Sequence, residues 1–259
     1  MKFRNQQNLH LQNLLNIPML TNTSLLELWE YGHAATPFEY GNLLLMLDDA
    51  RNDEDDILDL TLGERDRYLL DLRKRLFGSK INAESHCKEC SEKQDMSFTI
   101  QDIMVKNYHV KNEYDMLTEE LSIKLRPVKL RDLSLVSSKQ KHETAEDMLL
   151  ELCILSAKKN GNKIPVTSMS QQEKANIVSE MSEIDPQSEI IINSKCPSCG
   201  VVCNFVFDIC AYLRTEIDAY VRQLLLDVHY LSASYGWSES DVLAMSDHRR
   251  RMYINMIIA

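Results

Sequence analysis

Apolar residues fall at helical spacing along most of the chain, and local capping signals mark where the helices begin. "SLLELWEYG" places Ser24 and Glu27 in capping-box spacing and stops at Gly32. "TPFE" repeats the signal, with Thr36 as N-cap, Pro37 in the first helical position and Glu39 in the third; its helix is predicted to run to about Asp49. "TLGE" does so again with Thr61 and Glu64, opening a helix that ends at Gly78. Thr144 with Asp147, and Ser170 with Glu173, cap two more. From Asp208, Ile209, Leu213, Ile217, Tyr220, Leu224, Val228, Leu231 and Tyr235 keep one stripe as far as Gly236. That is a helix of roughly 40 Å at 1.5 Å per residue.

Alternation replaces this period in a few short runs. Met96, Phe98 and Ile100 share one face, as do Leu121, Ile123 and Leu125, whose strand Pro127 limits to an end or an edge. "KKNGNKIP" reads as an exposed turn, and Cys203, Phe205 and Phe207 again lie on one face. The chain divides into a polar arm over 1–22, an N-terminal helical region over 23–80, a first cysteine knuckle with strands over 81–135, a helical insert over 136–186, a second knuckle strand over 187–208, and a long helix with a terminal helical unit over 209–259.

Two internal echoes appear. The segment from Asp53, "DEDDILDLTLGERDRYLLDL", aligns without gaps to the segment from Ser238, "SESDVLAMSDHRRRMYINMI". "HCKECSEKQDMSFTI" echoes "KCPSCGVVCNFVF". The helical unit precedes the knuckle in the first half and follows it in the second, so the order is mirrored rather than tandem.

The two C-x-x-C knuckles carry the clearest chemistry. Zinc takes four soft ligands in a tetrahedron, and each knuckle supplies two thiolates. Cys87, Cys90, Cys196 and Cys199 therefore form the candidate metal set, with His86 or Cys203 as competing ligands. The separation of Cys90 from Cys196 is long for a zinc ribbon, but loop-closure entropy grows slowly with length. A redox C-x-x-C pair would open a helix in a βαβ context; both pairs here run into strands. The bland alternative is two uninvolved reduced pairs, and Cys153 and Cys210 read as small buried apolar residues. The fold class expected is α+β, mainly helical, with bundle-like halves around one small zinc-ribbon element built from both knuckles.

Charge narrows the partners. The 259 residues carry 29 Lys and Arg against 39 Asp and Glu, a net charge of −10, which argues against a large nucleic-acid surface. The start of the chain imitates a signal peptide only weakly and no apolar run approaches about 18 residues, so no membrane span is expected and the cytosol is the expected compartment. "HRRR", His248 to Arg251, sits at a helix start, where positive charge opposes the macrodipole. It reads as a solvated face, as a docking surface for an acidic partner, as a helix-turn-helix DNA reader (disfavoured by the acidic "DEDD" of the matching unit), or as a strap onto the acidic run Asp53–Asp56. No motif of catalytic spacing is present.

Taken together, "GERDRYLLDLRKRLFG" before the first knuckle, "LSIKLRPVKLRDL" after it, and "FDI" leading to "HYLSASYGWSESDVLAMSDHRRRMY" resemble the zinc-knuckle proteins grouped with the baseplate proteins and baseplate hub assembly chaperones of contractile-tailed phages and related injection systems. The resemblance covers roughly residues 25–258. It implies one structural zinc on Cys87, Cys90, Cys196 and Cys199, and a C-terminal pattern at Trp237, Asp241, Leu243, Arg249, Arg250 and Tyr253. It implies no enzyme, but binding to baseplate, hub or wedge proteins, with Trp237, Arg249, Arg250, Arg251 and Tyr253 as the contact residues. A zinc-ribbon regulator binding nucleic acid is the alternative.

Overall fold

The computed structural model describes residues 20–48, 54–138 and 144–258. The polar arm over 1–22 lies almost wholly outside them, as does Asp53 of the acidic run. The chain forms two units, one drawing on Met1–Asn52 and Ile209–Ala259, the other being Asp53–Asp208. The helical region expected over 23–80 is thus shared between them.

The first unit is all helical. Helices α1 (Asn22–Tyr31) and α2 (Pro37–Asp48), and later α9 (Ile209–Tyr235), α10 (Glu239–Leu243) and α11 (Asp247–Ile258), make it up, and the other four pack on α9. Ile209, Leu213, Ile217, Val221, Leu224 and Leu231 are the buried side of α9. Thr36 and Glu39 cap α2 reciprocally, as expected. Ser24 does not begin α1. Thr21 is its N-cap and Ser24 returns the capping bond from the third position, and Leu25, Leu26 and Leu28 are buried.

In the second unit, α3 (Glu54–Leu58) and α4 (Leu62–Phe77) come first. They match α10 and α11 residue for residue in the alignment of the helical echo. Arg65 and Arg250 occupy equivalent places, and both are buried. Next come the hairpin β1 (Lys80–His86) and β2 (Lys93–Thr99) and the short helix α5 (Ile100–Ile103). Ile100 therefore starts a helix instead of extending the strand, since Thr99 and Asp102 form a capping box.

Strands β3 (Tyr114–Leu117), β4 (Leu121–Leu125), β5 (Ile154–Lys159) and β6 (Asn162–Lys163) form an antiparallel sheet in that order. Helices α6 (Leu130–Ser138), α7 (Ala145–Cys153) and α8 (Gln171–Ile184) accompany it. Leu121, Ile123, Leu125, Leu150, Ala157, Met169 and Ile177 form its core. Asn160 and Gly161, both at positive φ, turn the chain between β5 and β6, inside the stretch read as an exposed turn. The unit closes with the hairpin β7 (Ile191–Lys195) and β8 (Val202–Val206).

The single ribbon expected from the two knuckles is corrected in one respect. Each knuckle is the turn of its own two-stranded hairpin, and among the described residues the hairpins share no ladder. The strand before the first knuckle, "KINAESH", supplies the partner that an alternation of large apolar residues does not reveal.

Helix α4 carries a buried acid. Asp66 sits 2.8 Å from the Arg65 guanidinium, yet burial outweighs that attraction and pushes its carboxyl up to about 6. A folded value above the ordinary carboxylate range means that folding takes up a proton. Stability should therefore rise as pH falls from about 7 toward 4.5, by up to about 2–3 kcal/mol, and Asp66→Asn should remove that component. Urea unfolding of both proteins at pH 7 and pH 5 checks this; an identical pH dependence would show that Asp66 is solvated.

Candidate metal centre

The two knuckles are built alike. The Cys87 N–H donates to Glu92 O at 2.9 Å, and the Ser91 N–H returns to Cys87 O at 2.9 Å. In the second knuckle the Cys196 N–H donates to Val201 O at 2.8 Å, and the Gly200 N–H to Cys196 O at 3.0 Å. The same offset in each places a left-handed residue, Ser91 at φ 59° and Gly200 at φ 75°. Glycine meets that demand without strain; serine does not.

The inner faces of the hairpins meet through Met96, Cys203 and Phe205, and Phe98 packs edge-on against Phe207 at 5.5 Å. This brings the knuckles together. The sulfurs of Cys87, Cys90, Cys196 and Cys199 all lie within 4.8 Å of one another. Cys87 and Cys199 are 3.7 Å apart, and Cys90 and Cys196 3.6 Å. A tetrahedron with metal–sulfur bonds near 2.3 Å has edges of about 3.8 Å, whereas a disulfide needs about 2.05 Å. The spacing fits one metal ion in a tetrathiolate cage. The first cysteine of each knuckle is buried and the second exposed.

The electrostatics point the same way. The N–H groups of Cys90 and Glu89 address the Cys87 sulfur and hold its thiol down at about 6. The Val201 N–H favours ionised Cys199, but local desolvation of its sulfur and the neighbouring sulfurs of Cys90, Cys196 and Cys87 outweigh it and hold Cys199 up at about 12. One thiolate is welcome and four together repel. A dication is what allows all four to ionise.

His86 is not among the four mutually close donors; it pairs with Lys93 in the β1–β2 ladder. Cys203 lies outside the four-way group but touches Cys87. Cys153 and Cys210 are buried, as read from the sequence.

The C-terminal candidates separate. Trp237 stacks on Tyr235 at 4.6 Å and meets Tyr253 edge-on at 4.8 Å, with the Arg249 guanidinium 5.7 Å from the Tyr253 ring. Tyr235, read as the end of the core stripe, is an exposed member of this aromatic group. Arg249 and Arg251 are exposed. Arg250 is buried and does not share their exposure. It is 3% exposed and bonds Asp227 Oδ2 and Asp247 Oδ1, each at 2.9 Å. Both carboxylate partners belong to its own unit. The Tyr220 hydroxyl joins the group, 2.9 Å from Asp247 Oδ1 and 2.6 Å from Asn22 Oδ1. Asp241 caps α10 and Leu243 is buried.

No helix among the described residues is long and apolar enough to cross a membrane. No curated protein matches the chain, and no solved structure matches it. A family model described as T4 bacteriophage base plate protein matches residues 43–211. That span holds both knuckles and runs from within α2 to the first turn of α9. It covers well over half of the sequence, and the chain belongs to this family of phage baseplate proteins.

Proposed function

We propose that the chain is a non-enzymatic structural or assembly protein of a contractile phage-tail-like particle, binding other baseplate proteins from a scaffold braced by one zinc ion. The observation that carries this reading is the family match running across two hairpins whose knuckles converge four thiols. Four thiolates of this spacing suit zinc. They also close its coordination shell, leaving no position for water or substrate, so the ion serves the fold. Assembly of such a particle places the chain in the cytoplasm.

The docking surface of this reading lies on the terminal helical unit: exposed Arg249, Arg251, Met252 and Met256 together with half-buried Trp237 and Tyr253. Basic and apolar side chains together on a chain of net charge −10 suit an acidic partner, a hub or wedge protein, with salt-sensitive encounter. Arg249→Glu combined with Arg251→Glu should leave the unfolding midpoint nearly unchanged. It should weaken capture of the partner from assembling particles by about 30-fold, the effect of losing about 2 kcal/mol at a central contact. Full capture by the double variant, measured by pull-down across a salt series, would move the surface elsewhere.

A further inference from the structure

The four knuckle cysteines do not account for all the sulfur at the centre. Cys203, on β8, is buried with its Sγ 3.6 Å from that of Cys87. This separation equals the Cys90–Cys196 edge of the four-thiol group. Cys203 stands opposite Ser194 in the β7–β8 ladder, two residues before Cys196, and shares the inner face with Phe205. The Gln94 amide Nε2 lies 3.6 Å from its sulfur. Gln94 is itself 4% exposed, and its Oε1 is buried without a hydrogen-bond partner. Burying an amide with half its hydrogen bonding unmet is costly. If position 203 only filled space, an aliphatic pair would fill it at lower cost.

We propose that Cys203 is a reserve ligand of the metal centre, able to replace Cys87 on the ion. The proposal rests on the metal reading of the four-thiol group. Cys203 S–H donates to the Cys87 sulfur, so the exchange has a built-in proton path. As the Cys203 sulfur bonds the ion, its proton passes to the departing Cys87 sulfur. One metal–sulfur bond forms and one breaks, with charge and electron count unchanged. The specificity for Cys87 follows from position. Cys87 and Cys196 are both buried, Cys90 and Cys199 exposed, and it is the Cys87 sulfur that Cys203 addresses. Gln94 fixes the thiol where it can move onto the ion. The device keeps the centre at four sulfurs through the loss or blocking of one ligand and slows escape of the ion.

Cobalt(II) is the probe, because the intensity of its sulfur-to-metal charge-transfer absorption follows the number of thiolates bound. The native chain should take one Co²⁺ with four sulfurs. Cys87→Ser should keep the four-sulfur spectrum, and Cys87→Ser with Cys203→Ser should lose it. Cys90→Ser should lose it alone, having no reserve. Matching spectra from Cys87→Ser and Cys90→Ser would overturn the reserve role while leaving the centre intact. A native chain that binds no Co²⁺ would overturn the metal reading, and this one with it. Should Cys87→Ser fail to fold, Cys203→Ala in the otherwise native chain decides. It should lose Co²⁺ to a chelator about 10-fold faster or more, the usual scale for a residue supporting a metal ligand. An unchanged rate would overturn the proposal.

Discussion

Cys196→Ser is expected to strip the metal and take apart β1–β2 and β7–β8 while β4, β5 and α8 stay folded. Apart from buried Ile81 and the Phe98–Phe207 contact, the hairpins are held mainly around the thiols. Three of the four buried members of their shared core are cysteines, with Phe205 as the fourth and Met96 packed beside them. Burying a Phe and a Met contributes a few kcal/mol, whereas a structural zinc contributes on the order of 10 kcal/mol of binding that is also folding free energy. The sheet has its own seven-residue core, without thiol ligands. Metal analysis should fall from about one zinc per chain to none. Hydrogen exchange should show protection lost across residues 80–99 and 191–206 and kept in 121–125 and 171–184. Hairpins that remain protected in metal-free protein would mean that packing alone holds them.

Arg250→Ala should be the most damaging single change in the helical unit. The substitution leaves the Asp227 carboxylate at a core position of α9 with Gln223 as its remaining bonded neighbour. Removing one partner of a buried ion pair costs about 3–5 kcal/mol, most of it the burden of the orphaned charge. Asp227→Ala should cost a similar amount. Arg250→Met with Asp227→Leu should recover most of the loss, since a matched apolar pair leaves no charge to desolvate. Urea unfolding of the full chain measures all three. If Arg250→Ala unfolds at the native midpoint, the pair is open to water.

These two sites also show what a sequence discloses. The four thiols were legible because a knuckle fixes its donors locally, and two such knuckles pointed to a shared metal set whose sulfurs do lie within 4.8 Å of one another. The caps at Thr36, Thr61 and Ser170 were legible for the same reason of locality. Ser24 was misplaced by one turn because Thr21 also caps, and the choice depends on where Leu25 and Leu26 are buried, which is a tertiary matter. Strand β5 escaped notice because it follows Cys153 of α7 without a break, and "ILSAKK" shows no clean alternation. Arg250 is the instructive miss. Its basic neighbours suggested a surface, yet the gapless echo had already set it opposite Arg65, and the two share one fate. What decided it was a carboxylate at Asp227, 23 residues away, that no local pattern connects to it.

The division of the chain has a consequence for its synthesis. Asp53–Asp208 is contiguous, whereas the other unit is interrupted by it. On the ribosome, α1 and α2 emerge first and find none of the α9 surface they pack on. At about 5–20 residues per second, the wait for α9 lasts on the order of ten seconds. Through that interval Leu25, Leu28, Leu44 and Leu47, all buried in the finished protein, are exposed to solvent and to any holding chaperone. The insert that gathers the four thiols can mature meanwhile, since Cys199, the last of them, is made before α9 begins. The helical unit is therefore completed after the insert, so a chain truncated before α9 would hold the four gathered thiols but lack the surface proposed for docking.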